Sequence, residues 1–242
     1  MKILGISGSP RKNGKSGVFT LVQTVLDHTG MEYEMISLRN KKISGCIACL
    51  GCVKDNVCKV EDDFKVLRDK IVEADAYVLG GPNYFSTLNV ISHAFLERFY
   101  QFRHQEGNLL MGKLAVAVGV SGTAGAGRFP ADEIEKFFLY NFIETVAKVT
   151  GQGTASCYDC GYGETCRIGI TAFNHGPGTK IASEMIPNVK KQDDVINSAA
   201  EAGRLLADRL NNKHDRMKVA AVMQKKMMAM ADGRFGAECP KA

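Results

Sequence analysis

Four cysteines fall within thirteen residues at 46–58, CIACLGCVKDNVC, spaced C-x2-C-x2-C-x5-C. Thiols this close together serve a disulfide framework, a zinc site or an iron–sulfur cluster. A second set, CYDCGYGETC at 157–166, repeats the outer part of the pattern, C-x2-C-x5-C, with only three local thiols. Two further stretches could bind rather than react. SGSPRKNGKS (7–16) combines glycine, hydroxyl and cationic side chains, the makeup of a loop that cradles a phosphate. GGPNYFS (80–86) places a proline, an amide and two aromatic rings together, a wall suited to a flat apolar group.

These stretches need a frame. KILGI (2–6), EYEMISL (32–38), AYVLG (76–80) and KLAVAVGV (113–120) read as strands. Between them, Val18, Val22, Val25 and Leu26 recur at helical spacing, as do Phe64, Leu67 and Ile71 after a capping Asp62 or Asp63, and Leu88, Ile91, Phe95 and Phe99. The pattern predicts a further helix over 132–147, a strand over 148–156 and a last helix over 190–211. Alternating strands and helices imply a parallel sheet covered on both faces, whose ligands bind at the carboxyl ends of the strands. The phosphate loop, the 80–86 loop, the loop SGTAGAGR (121–128) and the cysteine loop all follow strands. They are expected to meet at one sheet edge.

Composition narrows the function. The 242 residues are 45% hydrophobic and 24% charged, which suits a soluble globular chain able to bury its own core. No apolar run approaches a membrane span, and MKILGISGSP does not read as a signal peptide. A cytoplasmic protein with reduced thiols is expected, which argues against disulfides at 46–58. Of the net charge of +5, most sits between Lys213 and Lys226, where five Lys/Arg face one Asp. There is no basic stripe interleaved with aromatics, so neither nucleic acid nor membrane is expected as a partner. The loop 7–16 matches neither G-x-x-x-x-G-K-[ST] nor G-x-G-x-x-G. A tight β–α turn without ligand is the alternative reading. No Ser/His/Asp set or carboxylate pair nominates a catalytic side chain.

GISGSPRKNGKS and GGPNYFS together resemble the flavodoxin-like NAD(P)H-dependent FMN reductases, and CIACLGCVKDNVC between them narrows the resemblance to the iron–sulfur flavoproteins. The resemblance covers about residues 1–130 and the last helix of the domain. It implies an α/β, flavodoxin-like, doubly wound five-stranded parallel sheet of order 2-1-3-4-5, with a cysteine-rich loop after strand 2; outside the family pattern, Met and Val at helical spacing add a C-terminal helical extension. The domain would run over 1–212, with a cysteine-rich loop at 44–60 and a cysteine-rich insert at 153–189. A Met-rich helical tail would follow at 213–242.

By the same resemblance, Ser9, Arg11, Asn13, Lys15 and Ser16 surround the FMN phosphate, and Pro82, Asn83, Tyr84 and Phe85 line the isoalloxazine ring. Ser121, Gly122 and Thr123 close over the ring or the ribityl chain. Core packing is the plainer reading of Tyr84 and Phe85. Cys46, Cys49, Cys52 and Cys58 would hold a [4Fe-4S] cluster, next to the flavin of this chain or facing that of a neighbouring subunit. Zinc sites more often split into two separated C-x2-C knuckles, and four plain reduced cysteines are the third reading.

Cys157, Cys160 and Cys166 lie outside the family pattern. They form a possible second metal site for zinc or iron–sulfur, with His175 or Cys239 as a fourth ligand, or remain free thiols. The implied activity is flavin-dependent oxidoreduction, with electrons passing between cluster and FMN and with NAD(P)H or a ferredoxin as donor. A homodimer or homotetramer is expected. The alternatives are a cluster-free NAD(P)H-dependent FMN or quinone reductase and a non-catalytic metal- or redox-sensing module. The tail holds five of the ten methionines, at 217, 223, 227, 228 and 230. It would pack as an arm on a partner or on its own domain.

Overall fold

In the computed structural model, which describes residues 1–212 and 214–231, five strands form the frame: β1 (Lys2–Ser7), β2 (Glu32–Ser37), β3 (Ala76–Tyr84), β4 (Leu114–Ser121) and β5 (Glu144–Gln152). All pair in parallel, in the order β2-β1-β3-β4-β5. A two-residue strand, Thr87–Leu88, folds back antiparallel on the end of β3 and adds a sixth member. The helices are α1 (Gly17–Asp27), α2 (Arg68–Glu73), α3 (Val90–Glu97), α4 (Arg128–Tyr140), α5 (Ile170–His175), α6 (Asp193–Asn211) and α7 (Arg216–Ala231).

Side chains alternate along each strand, so the sheet feeds two cores. Leu4, Ile6, Tyr77 and Leu79 pack with Ile71, Phe95, Phe99, Ile134 and Phe138 on the α2–α3–α4 face. Ile3, Val78, Val116 and Val118 pack with Val18, Leu21, Val22, Val25 and Leu206 on the α1–α6 face. No helix among the described residues is long and apolar enough to cross a membrane.

Two boundaries differ from the sequence expectation. The helix placed at 132–147 runs over Arg128–Tyr140, and the strand placed at 148–156 runs over Glu144–Gln152. Asn141 closes the helix, and Phe142 takes a left-handed φ of 56° that turns the chain into β5. β5 is an edge strand, mostly half-exposed, so its apolar residues do not alternate cleanly. The helix expected over Leu88–Phe99 is also divided. Leu88 lies in the short strand, and Phe99 in a 3-10 turn, Arg98–Phe102, after α3.

Lys113, fully buried beside β4, donates to the carbonyls of Ile71, Val72 and Ala74 at 3.1, 2.6 and 2.5 Å. It caps the C-terminal end of α2. Burial pushes its ammonium down to about 7, with the Arg216 charge adding to the effect. Lys113→Met keeps the length but leaves three buried carbonyls without this donor. A loss of about 3 kcal/mol in urea unfolding is expected; an unchanged midpoint would remove the capping role.

α7 packs on its own chain. Arg216 donates to the carbonyls of Leu109 and Met111 at 2.9–3.1 Å, and Ala220 and Met223 are buried where the helix meets α4 and β5. Met217, Val222 and Met228 remain exposed. Lys213 and residues 232–242, with Cys239, lie outside the described residues.

Candidate functional site

A cleft of about 720 Å³ opens at the carboxyl edge of the sheet. Ser9, Arg11 and Lys15 line one end. Pro82, Asn83, Tyr84 and Phe85 line the other, and Ser121, Gly122 and Thr123 border it after β4. A smaller hollow of about 230 Å³ continues past Arg11 and Lys15 to Ser16, Thr20, Asn188 and Lys190. Of the twelve residues expected around a flavin, ten line the larger cleft and Ser16 lines the hollow; Asn13 lines neither.

Why the phosphate end suits an anion is a matter of helix chemistry. Ser16 caps α1, its Oγ accepting the Phe19 N–H at 3.1 Å. The N–H groups of Gly17 and Val18 have no partner within the helix and stand at the positive end of its dipole. Arg11, expected on a phosphate, instead pairs with Asp159 of the cysteine-rich insert at 2.6 Å.

Close packing ties the loops together. Gly8 donates its N–H to the Gly80 carbonyl at 2.8 Å, and Asn89 Nδ2 donates to the Gly8 carbonyl at 2.8 Å. A Cβ on Gly8 would collide with Ser92 Oγ. Asn83 Nδ2 donates to Ser121 Oγ at 3.1 Å, and Ser121 Oγ also accepts the Thr123 N–H at 3.1 Å. One hydroxyl thus joins the loops after β3 and β4. Asn83 Oδ1 is buried and has no hydrogen-bond partner among the described residues. A small shift of the Asn83 side chain toward the cleft would let that acceptor take a ligand N–H such as that of a flavin ring. With the anion-binding helix start and the apolar hairpin, the residues present fit FMN.

Phe85 and Ser86 form the hairpin tip with left-handed φ values of 53° and 65°, and Phe85 is fully exposed. A two-residue hairpin of this hand favours Asn-Gly; a phenylalanine there is strained. Core packing does not explain it. Phe85→Gly is expected to leave stability unchanged or raise it by about 0.5–1 kcal/mol while weakening FMN binding about tenfold, read by flavin fluorescence titration. Equal affinity would show that the ring serves another surface.

The 46–58 loop lies elsewhere: none of its cysteines lines the cleft. It packs against α3 and the 3-10 turn after it. Cys46 N–H donates to Glu97 at 3.0 Å, and Cys58 N–H donates to Gln101 at 3.0 Å. Ser44 N–H donates to Asp62, which also pairs with the fully buried Arg98 at 2.5 Å. Burial opposes the Asp62 charge, but Arg98 and the N–H groups of Ser44 and Phe64 outweigh it and hold the carboxyl below its ordinary range.

Among the described residues, no group of three or more His, Cys, Asp or Glu is gathered as a ready-made metal site. Two features of the loop bear on what it can hold. Ala48 and Leu50, between the cysteines, take left-handed φ of 53° and 58°, strain that needs a reason. Burial pushes the Cys52 thiol up, with the nearby Cys58, Cys46 and Cys49 adding to the effect. Four such thiols fit a cluster or another thiophilic metal.

A chain of polar contacts joins this loop to the hairpin. Glu133 accepts from Thr87 Oγ1 at 2.6 Å and Leu88 N–H at 2.7 Å. His93 lies between Glu133 (2.8 Å) and Glu97 (3.4 Å), and Glu97 holds the Cys46 N–H. Burial opposes ionisation of Glu133, yet Thr87, Leu88 and His93 keep it below the usual range. These residues form no sequence motif, and the sequence reading did not name them as a site.

Also missed was the loop after β5. Gly153, Thr154, Ala155, Ser156 and Cys157 all line the cleft. The rule that ligands meet strand carboxyl ends would have found them once β5 was placed correctly. Cys157 therefore sits at the cleft, with Cys166 beside it and Cys160 exposed. His175 is occupied by the Tyr158 hydroxyl at 2.9 Å.

A family model described as NADPH-dependent FMN reductase matches residues 1–151. An iron-sulfur flavoprotein of Methanocaldococcus jannaschii is 32% identical over 207 residues, 79% of this chain and 100% of the relative. An iron-sulfur flavoprotein of Archaeoglobus fulgidus is 28% identical over 146 residues, 60% of this chain and 75% of the relative. Among solved structures, a flavone reductase superposes with a TM-score of 0.57 at 17% identity, over 89% of this chain and 65% of that one. RosB, solved with 8-demethyl-8-formylriboflavin-5'-phosphate, gives 0.56 at 14% identity, over 100% and 89%. The structural likenesses show a shared fold.

Proposed function

Because this chain belongs to the NADPH-dependent FMN reductase family, alongside the iron–sulfur flavoproteins, we propose that it passes electrons between a [4Fe-4S] cluster and FMN. It is an FMN-dependent oxidoreductase. The flavin half of this reading rests on the cleft, which offers an anion site at the start of α1 and the strained aromatic hairpin at the far end, and the cluster half on the four closely spaced cysteines at 46–58.

In this reading, FMN supplies the redox chemistry, accepting electrons singly or in pairs. The chain positions it. Gly17 and Val18 N–H groups, Ser9 and Lys15 hold the phosphate. Asn83 Oδ1 takes a ring N–H, fixed in place by the Asn83–Ser121 bond. Tyr84 and Phe85 cover the ring and exclude water. Cys46, Cys49, Cys52 and Cys58 hold the cluster, with Glu97 and Gln101 fixing the backbone at Cys46 and Cys58. NAD(P)H or a ferredoxin is the donor.

None of these four cysteines lines the cleft of its own chain. This supports a homodimer or homotetramer in which the loop faces a neighbouring chain's flavin. Ile47 and Leu50, exposed beside the cysteines, suit such an interface.

Anaerobic purification with a visible spectrum and FMN, iron, sulfide and zinc analyses tests the proposal. About one FMN, four iron and four sulfide per chain are expected. FMN without iron or sulfide would favour a cluster-free NAD(P)H-dependent FMN or quinone reductase. Absence of FMN after reconstitution would overturn the reading.

A further inference from the structure

The cysteines that sit at the cleft belong to the second set. Cys157 lines the cleft with Ser9, Pro82 and Phe85. Its segment is clamped there by the Asp159–Arg11 ion pair, 2.6 Å long, which joins the insert to the phosphate loop. A Cβ on the buried Gly169 would stand 3.1 Å from Cys166 Sγ and 3.4 Å from Cys157 Sγ, so the two sulfurs flank the same point. Glycine leaves the space between them open. Cys160 is exposed and engaged with the backbone: its Sγ donates to the Cys157 carbonyl at 3.3 Å and accepts the Tyr162 N–H at 3.4 Å.

A metal suits this set less well. Only three thiols are local, and His175 Nε2 is taken up by Tyr158. A paired dithiol at the mouth of a redox cleft has a simpler use. We propose that Cys157 and Cys166 form a dithiol–disulfide couple that exchanges an electron pair with the flavin. This inference rests on the FMN reading above.

The step balances without a further reagent. When the flavin is oxidised and the thiols reduced, two S–H bonds break and one Cys157–Cys166 S–S bond forms. Two electrons and one proton pass to the ring, and the second proton passes to solvent. In reverse, the reduced flavin cleaves the disulfide, and solvent supplies the second proton. A cluster moves electrons singly, whereas this couple moves them in pairs. Each flavin would then meet a two-electron port at 157–166 of its own chain and a one-electron port at the 46–58 loop of a neighbouring chain.

The test uses the full FMN-loaded chain, mildly oxidised with diamide and measured for flavin content. The flavin is photoreduced without oxygen by one electron pair per chain. The sample is then left in the dark, quenched with iodoacetamide and mapped by mass spectrometry. Expected is a return of the oxidised flavin spectrum, with labelling of Cys157 and Cys166 rising from near zero to about one per cysteine. Cys166→Ser is expected to show no rise in Cys157 labelling on flavin photoreduction, and Cys160→Ser to behave as the parent.

Bound, reduced FMN with unchanged labelling at 157 and 166 would overturn the couple and leave the flavin reading intact. A stoichiometric zinc or iron held by these cysteines would do the same. A chain without FMN would overturn both, and the flavin measurement on the same sample tells these failures apart.

Discussion

Cys52→Ala is expected to leave FMN at about one per chain while iron and sulfide fall from about four each to near zero. Cys52 is the buried member of the set, 7% exposed, while Cys46 and Cys49 are open to solvent. As a free thiol it resists ionisation, first through burial and then through repulsion from Cys58, Cys46 and Cys49. A bound cation reverses both effects, because the thiolate is the ligand and the metal charge offsets the crowding of negative sulfurs. Cluster assembly should therefore release protons and weaken as pH falls. Alanine removes a ligand without adding bulk or a polar group, so the cluster-free chain should keep its fold and its flavin cleft, which these cysteines do not line. Iron and sulfide at parental levels in Cys52→Ala would sink the assignment of the cluster to 46–58.

Where the chain gives a clean period, its sequence revealed the fold. β1, α1, β2, β3 and β4 lie within a few residues of their expected places because each is an apolar run or an amphipathic repeat next to a glycine-rich loop. β5 was placed about four residues late, since VAKV at an exposed edge reads as well as a helix end, and the stop signal is a left-handed Phe142 rather than a glycine. The loops that gather at the cleft were legible because a strand, a small-residue loop and a helix start follow one another immediately. The separation of the 46–58 loop from the cleft was not legible. It depends on Glu97, Gln101 and Arg98, carried by α3 and the turn after it, drawing the loop across that face. The Glu133–His93–Glu97 chain is likewise a product of packing between α3 and α4, invisible to any local pattern.

Asp62→Asn carries the largest expected cost to stability, about 3–5 kcal/mol. Arg98 and Asp62 have side chains 1% and 10% exposed, so the amide would leave a guanidinium buried without its counter-charge. Asp62 also accepts the N–H groups of Ser44 and Phe64, and Arg98 donates to the Ser44 carbonyl at 3.1 Å. The pair therefore anchors the chain two residues before Cys46. Its loss should lower cluster content as well as stability.

The pH dependence follows from the sign of the shift. The folded carboxyl lies below its ordinary range, so its contribution is present above the unfolded value, about 3.9, and is lost as pH falls through the folded value. The parent and Asp62→Asn chains should therefore differ most near neutral pH in urea unfolding and converge as the acid side is reached. A gap that stays constant from neutral to acid pH would mean that Asp62 acts through its hydrogen bonds alone. No gap at neutral pH would mean that Arg98 finds another partner, and the cysteine loop would then owe its position to Glu97 and Gln101.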